Sequence, residues 1–278
     1  MLTRKQIAAD LASLGLSAGD VVMVHASLRA IGEVAAGPDE VHLAIKEVIT
    51  DRGTMVMYAS CPAYVDEVGR GNLTPEQEAD VREKLPAFDP NTARSARDNG
   101  ALVELFRTYP GSRVNEHPAR FVVWGAHADH LIVPQPWDFA FGAGSLLERF
   151  VHLDGKILLL GSDHDNVTFL HYAEHVVDIP DKRVARFEVP VLENGVRVWK
   201  AMAEIDTSDG GAHATWPDRF FSTIVDGHLA ATDNRGGRVG GAQSYVMRAR
   251  GLLDHGLTVM RQVATIRQGL RSNDSSRL

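Results

Sequence analysis

Apolar positions recur every three or four residues from Thr3 to Leu14, placing Ile7, Leu11 and Leu14 on one stripe between a capping Thr3 and a terminating Gly15. This predicts an amphipathic helix. Asp20-Val-Val-Met-Val-His25 is instead a short unbroken apolar run, which predicts a buried strand. A second helical stripe (Val41, Ile45, Val48) follows within 38–48, and Gly53-Thr-Met-Val-Met-Tyr58 reads as the next strand. Strand, helix, strand in that order implies a parallel pair joined by a right-handed crossover.

From Ser60 to Asp98 the chain turns polar and irregular, interrupted by Pro62, Pro75, Pro86 and Pro90; so long an insertion is more often functional or mobile than a simple connector. Residues 100–109 predict a helix with Leu102, Leu105 and Phe106 inward. Phe121-Val-Val-Trp124 and Lys156-Ile-Leu-Leu-Leu160 predict strands, with the Gly-rich Phe141-Gly-Ala-Gly-Ser145 between them. Residues 186–199 predict a hairpin turning at Asn194-Gly195, the pair suited to a type I′ turn. A helix near Phe220, glycine turns at 236–237 and 240–241, and a helix over 242–253 complete the chain. The fold class predicted is α/β with α+β elements: a central mixed sheet of parallel and antiparallel strands flanked by helices, with a β-hairpin extension. One domain is expected over 1–266, with the irregular insertion at 60–98 and a flexible tail at 267–278.

Composition narrows the partners. Hydrophobic residues make up 44% and charged residues 23%, an ordinary globular balance, and the formal charge is −7. An acidic chain argues against nucleic acid or an anionic membrane and is compatible with a cationic small molecule. The single cysteine, Cys61, excludes an internal disulfide and fits a reducing cytoplasm, where the protein is expected as a monomer or homodimer. Neither a secretory leader nor a membrane-spanning run is expected.

The candidate chemistry concentrates after the 156–160 strand. Gly161 is followed by Ser162-Asp-His-Asp-Asn and then by Thr168-Phe-Leu-His-Tyr-Ala-Glu-His175, so ionisable groups crowd the point where strand gives way to helix. Open α/β sheets place their ligands at such points. His171-x-x-Glu174-His175 also spells an inverted zinc-hydrolase motif, but a catalytic zinc needs a third protein ligand and no second helix supplies one with matching periodicity. A histidine base oriented by a carboxylate needs less: His171 could be held by Glu174, or by an acid from afar such as Glu204 or Asp206. A buried structural histidine is the plain alternative. The turn at Ser27-Leu-Arg29 could receive a phosphate-bearing ligand, although the chain has no P-loop.

Taken in order, these pieces resemble the aminoglycoside 3-N-acetyltransferase family. The resemblance runs through Val24-His-Ala-Ser-Leu-Arg-Ala-Ile-Gly32, Gly53-Thr-Met-Val-Met57, Leu102-Val-Glu-Leu-Phe-Arg107, Arg113-x-x-Glu-His-Pro118 and Gly142-x-Gly-Ser145. It continues through Asp154-Gly-Lys-Ile-Leu-Leu-Leu-Gly161, Thr168-x-x-His171-x-Ala-Glu174 and Gly237-Arg-Val-Gly-Gly-Ala242. It implies acetyl transfer from acetyl-CoA to the 3-amino group of an aminoglycoside, without a metal. It makes His171 the catalytic base, supported by Glu174 and Thr168, with Glu204 and Asp206 as acids that hold the histidine or the substrate's ammonium groups. Ser27, Leu28, Arg29, Ser145 and Thr168 would then meet the cofactor, and Asp66, Glu67 and Asp138 would line the substrate side. Three stretches depart from the family pattern: Arg113-Val-Asn-Glu-His-Pro, Trp137-Asp138 and Leu146 after Ser145. They leave the choice of aminoglycoside open. Two rival functions are a zinc hydrolase built on His171, Glu174 and His175, and a non-catalytic module binding CoA or a polyamine.

Overall fold

The computed structural model describes residues 1–61, 68–206, 212–213 and 216–274, with side chains described as far as 265. Its centre is a seven-stranded sheet in the order β3-β4-β2-β1-β5-β9-β8. The strands are β1 (Val21–Ala26), β2 (Thr54–Tyr58), β3 (Arg113–Val114), β4 (Phe121–Gly125), β5 (Lys156–Leu160), β8 (Gly237–Val239) and β9 (Ala242–Arg248). β1 runs parallel to β2 and β5, as a strand-helix-strand order requires, while β4 and β9 join antiparallel on either side.

The unbroken apolar strands are explained by two covered faces. Met23, Val56, Phe121, Ile157 and Leu159 point to one core, shared with the helices α7 (Leu146–His152), α8 (Leu170–Val176), α9 (Phe220–Ala231) and α10 (Ala249–Asp274). Their strand neighbours Val22, Val24, Met55, Leu158 and Leu160 point to the other core, with α1 (Arg4–Ser13), α3 (Asp39–Ile49) and α5 (Ala101–Thr108). Two short helices, α2 (Leu28–Ile31) and α6 (Ala128–Leu131), fill connections. Thr3 caps α1 in a reciprocal box with Gln6.

The hairpin stands apart from the sheet. It pairs β6 (Val184–Glu193) with β7 (Val196–Ile205) through Asn194 and Gly195 at φ 52° and 78°, the left-handed geometry a type I′ turn needs. A small core of Phe187, Val189, Val191 and Met202 lies under it. The described part of the polar insertion carries the helix α4 (Pro75–Lys84) and bridges to β6 at Val68 and Phe88. The fully buried Arg120 ties that insertion down: its guanidinium donates to the carbonyls of Ala59 (2.9 Å), Pro90 (2.7 Å) and Ala93 (2.7 Å).

One predicted element is overturned. Residues 242–248, predicted as the start of a helix, form β9, paired along the whole of β5 from Lys156↔Arg248 to Leu160↔Ser244. The open edge of β5 supplies the hydrogen bonds, and helix α10 starts only at Ala249. Its backbone continues to Asp274. Among the described residues no helix is long and apolar enough to cross a membrane.

Candidate active site

The parallel strands β1 and β5 end side by side, joined by the Ser27 N–H donating to the Leu160 carbonyl at 2.9 Å. Ser27 then turns the chain into α2, its hydroxyl accepting from the Ala30 N–H at 3.3 Å. After β5 the chain passes between α2 and β9 at Gly161, where φ is 61°. A Cβ there would lie 2.5 Å from Ala30 Cβ and 2.9 Å from Ala242 Cβ, so only glycine fits. Asp163 caps the following 3-10 turn, His164–Asn166, by accepting from the Asp165 N–H at 2.9 Å. The chain then reaches Thr168 and α8.

These strand ends enclose a cleft of about 710 Å³. Ser27, Leu28 and Arg29 form one wall, Gly161 to Asp163, Asp165 and Thr168 another, and Tyr58 with Asp98 to Ala101 closes a third side. His171 stands on this cleft, in the first turn of α8. Its Nδ1 donates to Glu174 Oε2 at 2.6 Å, and the ring is wedged between Phe141 (centroids 5.2 Å apart) and Phe221 (5.0 Å). The Glu174 side chain is 2% exposed and that of His171 26%, so the carboxylate is sealed behind a ring that still reaches the cleft. With Nδ1 committed as a donor, Nε2 is left with its lone pair. Burial opposes the charged ring, but the Glu174 carboxylate, backed by Glu204 and Asp165, outweighs it and raises the His171 pKa above the ordinary histidine value. His25, at the end of β1, has no such partner among the described residues; burial pushes it down to about 4 and keeps it neutral.

The structure thus brings Ser27, Leu28, Arg29, Thr168, His171 and Glu174 together. It separates others. Ser145 is fully buried, does not line the cleft, and caps α7 by accepting from the Glu148 N–H at 3.2 Å. Asp138 Oδ1 accepts from the Ala203 N–H at 2.7 Å, beside β7. Asp206 pairs with Arg183 at 3.1 Å, and Glu204 meets His175 rather than His171. Asp66 and Glu67 lie outside the described residues. Tyr58, Asp98, Asn99 and Gly100 on the cleft wall had no signal in the sequence, because long-range contacts alone bring them there.

The zinc pattern does not assemble. His175 Nδ1 lies 2.6 Å from the His171 carbonyl and its Nε2 contacts Glu204, so neither nitrogen is available beside His171. Among the described residues no group of three or more His, Cys, Asp or Glu side chains is arranged to hold a metal ion.

Residues 23–261 match the family model described as aminoglycoside 3-N-acetyltransferase. The chain is 39% identical to "Aminoglycoside N(3)-acetyltransferase III" of Salmonella sp over 267 residues, covering 94% of this chain and 92% of the relative. Among solved structures, "AAC-IIIb binary with CoASH" superposes with a TM-score of 0.87 at 38% identity, covering 94% of this chain and 96% of that one. "AAC-VIa bound to Sisomicin" gives a TM-score of 0.85 at 34% identity, covering 93% and 97%. With the model spanning most of the sequence and such relatives aligned nearly end to end, the chain belongs to the aminoglycoside 3-N-acetyltransferase family.

Proposed function

We propose that this protein transfers the acetyl group of acetyl-CoA to the 3-amino group of an aminoglycoside, with His171 as general base, and so confers resistance from within the cytoplasm. The observation that carries this reading is the His171–Glu174 pair: Nδ1 is fixed at 2.6 Å on a sealed carboxylate, and the ring stands on the cleft at the strand ends. An aminoglycoside amine is protonated at neutral pH and must lose its proton to attack. Nε2 of His171 takes that proton, directly or through water, as the amine nitrogen bonds to the thioester carbonyl carbon. The carbon–sulfur bond then breaks, and the imidazolium returns its proton to the departing thiolate. The new amide nitrogen gives up its remaining extra proton to solvent, so that neutral amide, CoA thiol and one proton are the products.

Each side of the site has a supporting feature. The cleft beside Ser27, Leu28 and Arg29 has room for a pantetheine arm, and Arg29 offers a guanidinium to the diphosphate. Thr168, whose residue is 7% exposed on the same wall, is suited to contact the thioester. We assign the polycationic substrate to the side facing the hairpin, where Asp206 carries an acid near the end of β7. The CoASH-bound and sisomicin-bound relatives support the two ligand classes.

The test is thiol release from acetyl-CoA across an aminoglycoside panel, with the acetylated nitrogen located by NMR. Release that depends on the aminoglycoside and yields the 3-N-acetyl product is expected. Binding of CoA or of the antibiotic without turnover would instead identify a binding module, and activity abolished by a chelator would restore the hydrolase.

A further inference from the structure

Helix α8 has only seven residues, too few to hold its own geometry, so the bearing of His171 must be fixed from outside. Two ties lie at its C-terminal turn. Lys182 Nζ donates to the carbonyls of His175 (2.7 Å) and Val177 (2.8 Å), closing the helix end. The second tie is His175, one turn after His171 and with its side chain 4% exposed. Its Nδ1 meets the His171 backbone carbonyl at 2.6 Å and its Nε2 meets the Glu204 carboxylate of β7. Each ring nitrogen therefore has a partner, one on α8 and one on β7.

Glu204 is equally committed. Its Oε2 accepts from the Ala140 N–H at 2.8 Å and its Oε1 from the Ile205 N–H at 2.9 Å. The loop carrying Ala140 is in turn laced to β7, with the Phe139 N–H donating to the Ala203 carbonyl at 2.8 Å. The same loop presents Phe141, whose ring packs on both His171 (5.2 Å) and His175 (6.1 Å). Glu204 is therefore the node at which the hairpin, the aromatic loop and the catalytic helix meet.

We propose that His175 and Glu204 are a positioning pair: Glu204 anchors His175 to the hairpin, and His175 holds the backbone of His171, setting the approach of the base to the substrate nitrogen. The inference rests on His171 being the base. It takes Glu204 out of the set of acids that bind substrate and makes it part of the frame. Neither residue lines the cleft at Ser27–Arg29, so loosening the pair should slow the proton-transfer step and leave the cofactor side alone.

The experiment compares His175→Gln and Glu204→Gln with wild type, reading kcat by thiol release and CoA affinity by calorimetry with CoA itself. Gln at 175 can still reach toward Glu204 but gives up the Nδ1 contact; Gln at 204 keeps the shape and loses the charge. For each we expect kcat to fall roughly 10- to 100-fold, the scale of an ångström misplacement, with CoA affinity within about 2-fold of wild type. In a His171→Ala background neither substitution should lower the residual rate further. A kcat within about 2-fold of wild type in both variants would overturn the proposal, as would CoA affinity falling in step with kcat, which would mark simple damage to the fold. Should His171→Ala itself retain full activity, the failure lies with the assignment of the base and not with the pair.

Discussion

His171 and Glu174 sit three residues apart on one helical face, and their pairing would set the working range of the proposed base. Because the carboxylates raise the imidazole pKa, the rate should climb with pH through a value above the ordinary ~6.5 and then level off. A profile flat from about pH 5 to 9 would argue against a histidine base. Glu174→Gln removes the main opponent of burial, so the rising limb should move to lower pH while kcat drops roughly 10²-fold or more as the ring loses its orienting partner. Stability carries the opposite sign to activity. A histidine whose folded pKa is raised contributes stability that is complete below the unfolded value near ~6.5 and is lost as pH rises through the folded one. Wild type should therefore lose part of its stability advantage over Glu174→Gln across the interval in which it gains activity, which denaturant titration at several pH values measures.

Two positions at the level of elements separate architecture from chemistry. Ser145→Ala removes the cap of α7 and should cost about 1 kcal/mol in denaturant unfolding while leaving the KM for acetyl-CoA unchanged; a raised KM would return Ser145 to the cofactor site. Gly161→Ala forces a side chain into left-handed backbone between Ala30 and Ala242 and should destabilise by about 1–3 kcal/mol in the same measurement. The elements also mark how far sequence reasoning reaches. Helices α1 and α3, strands β1, β2 and β5 and the Asn194-Gly195 hairpin announce themselves through local period and turn chemistry. The His171–Glu174 contact is local too, being a single helical turn. Strand β9 is not, because Ala-Gln-Ser-Tyr-Val-Met-Arg becomes a strand only when β5 offers it an edge. Nor could local spacing show that Glu204 meets His175, or that residues 98–101 return across the end of β1 to wall the cleft.

For the whole molecule, a formal charge of −7 faces a substrate that carries several positive charges. Long-range attraction between them is screened as the Debye length shrinks from about 30 Å at 0.01 M salt to about 3 Å at 1 M. The KM for the aminoglycoside should accordingly rise steeply over that range, whereas a neutral amine of similar reach should show little change. In the proposed arrangement the parallel strand ends and α2 would form a cofactor wall, the hairpin and its laced loop a substrate side, and α8 would stand between them with the proposed base. The most direct test of that arrangement is the turnover of His171→Ala with acetyl-CoA and an aminoglycoside that the wild type accepts, measured on protein shown to bind CoA normally. A kcat lower by about 10²- to 10⁴-fold is expected, the usual contribution of a positioned base. A kcat within a few-fold of wild type would contradict that arrangement.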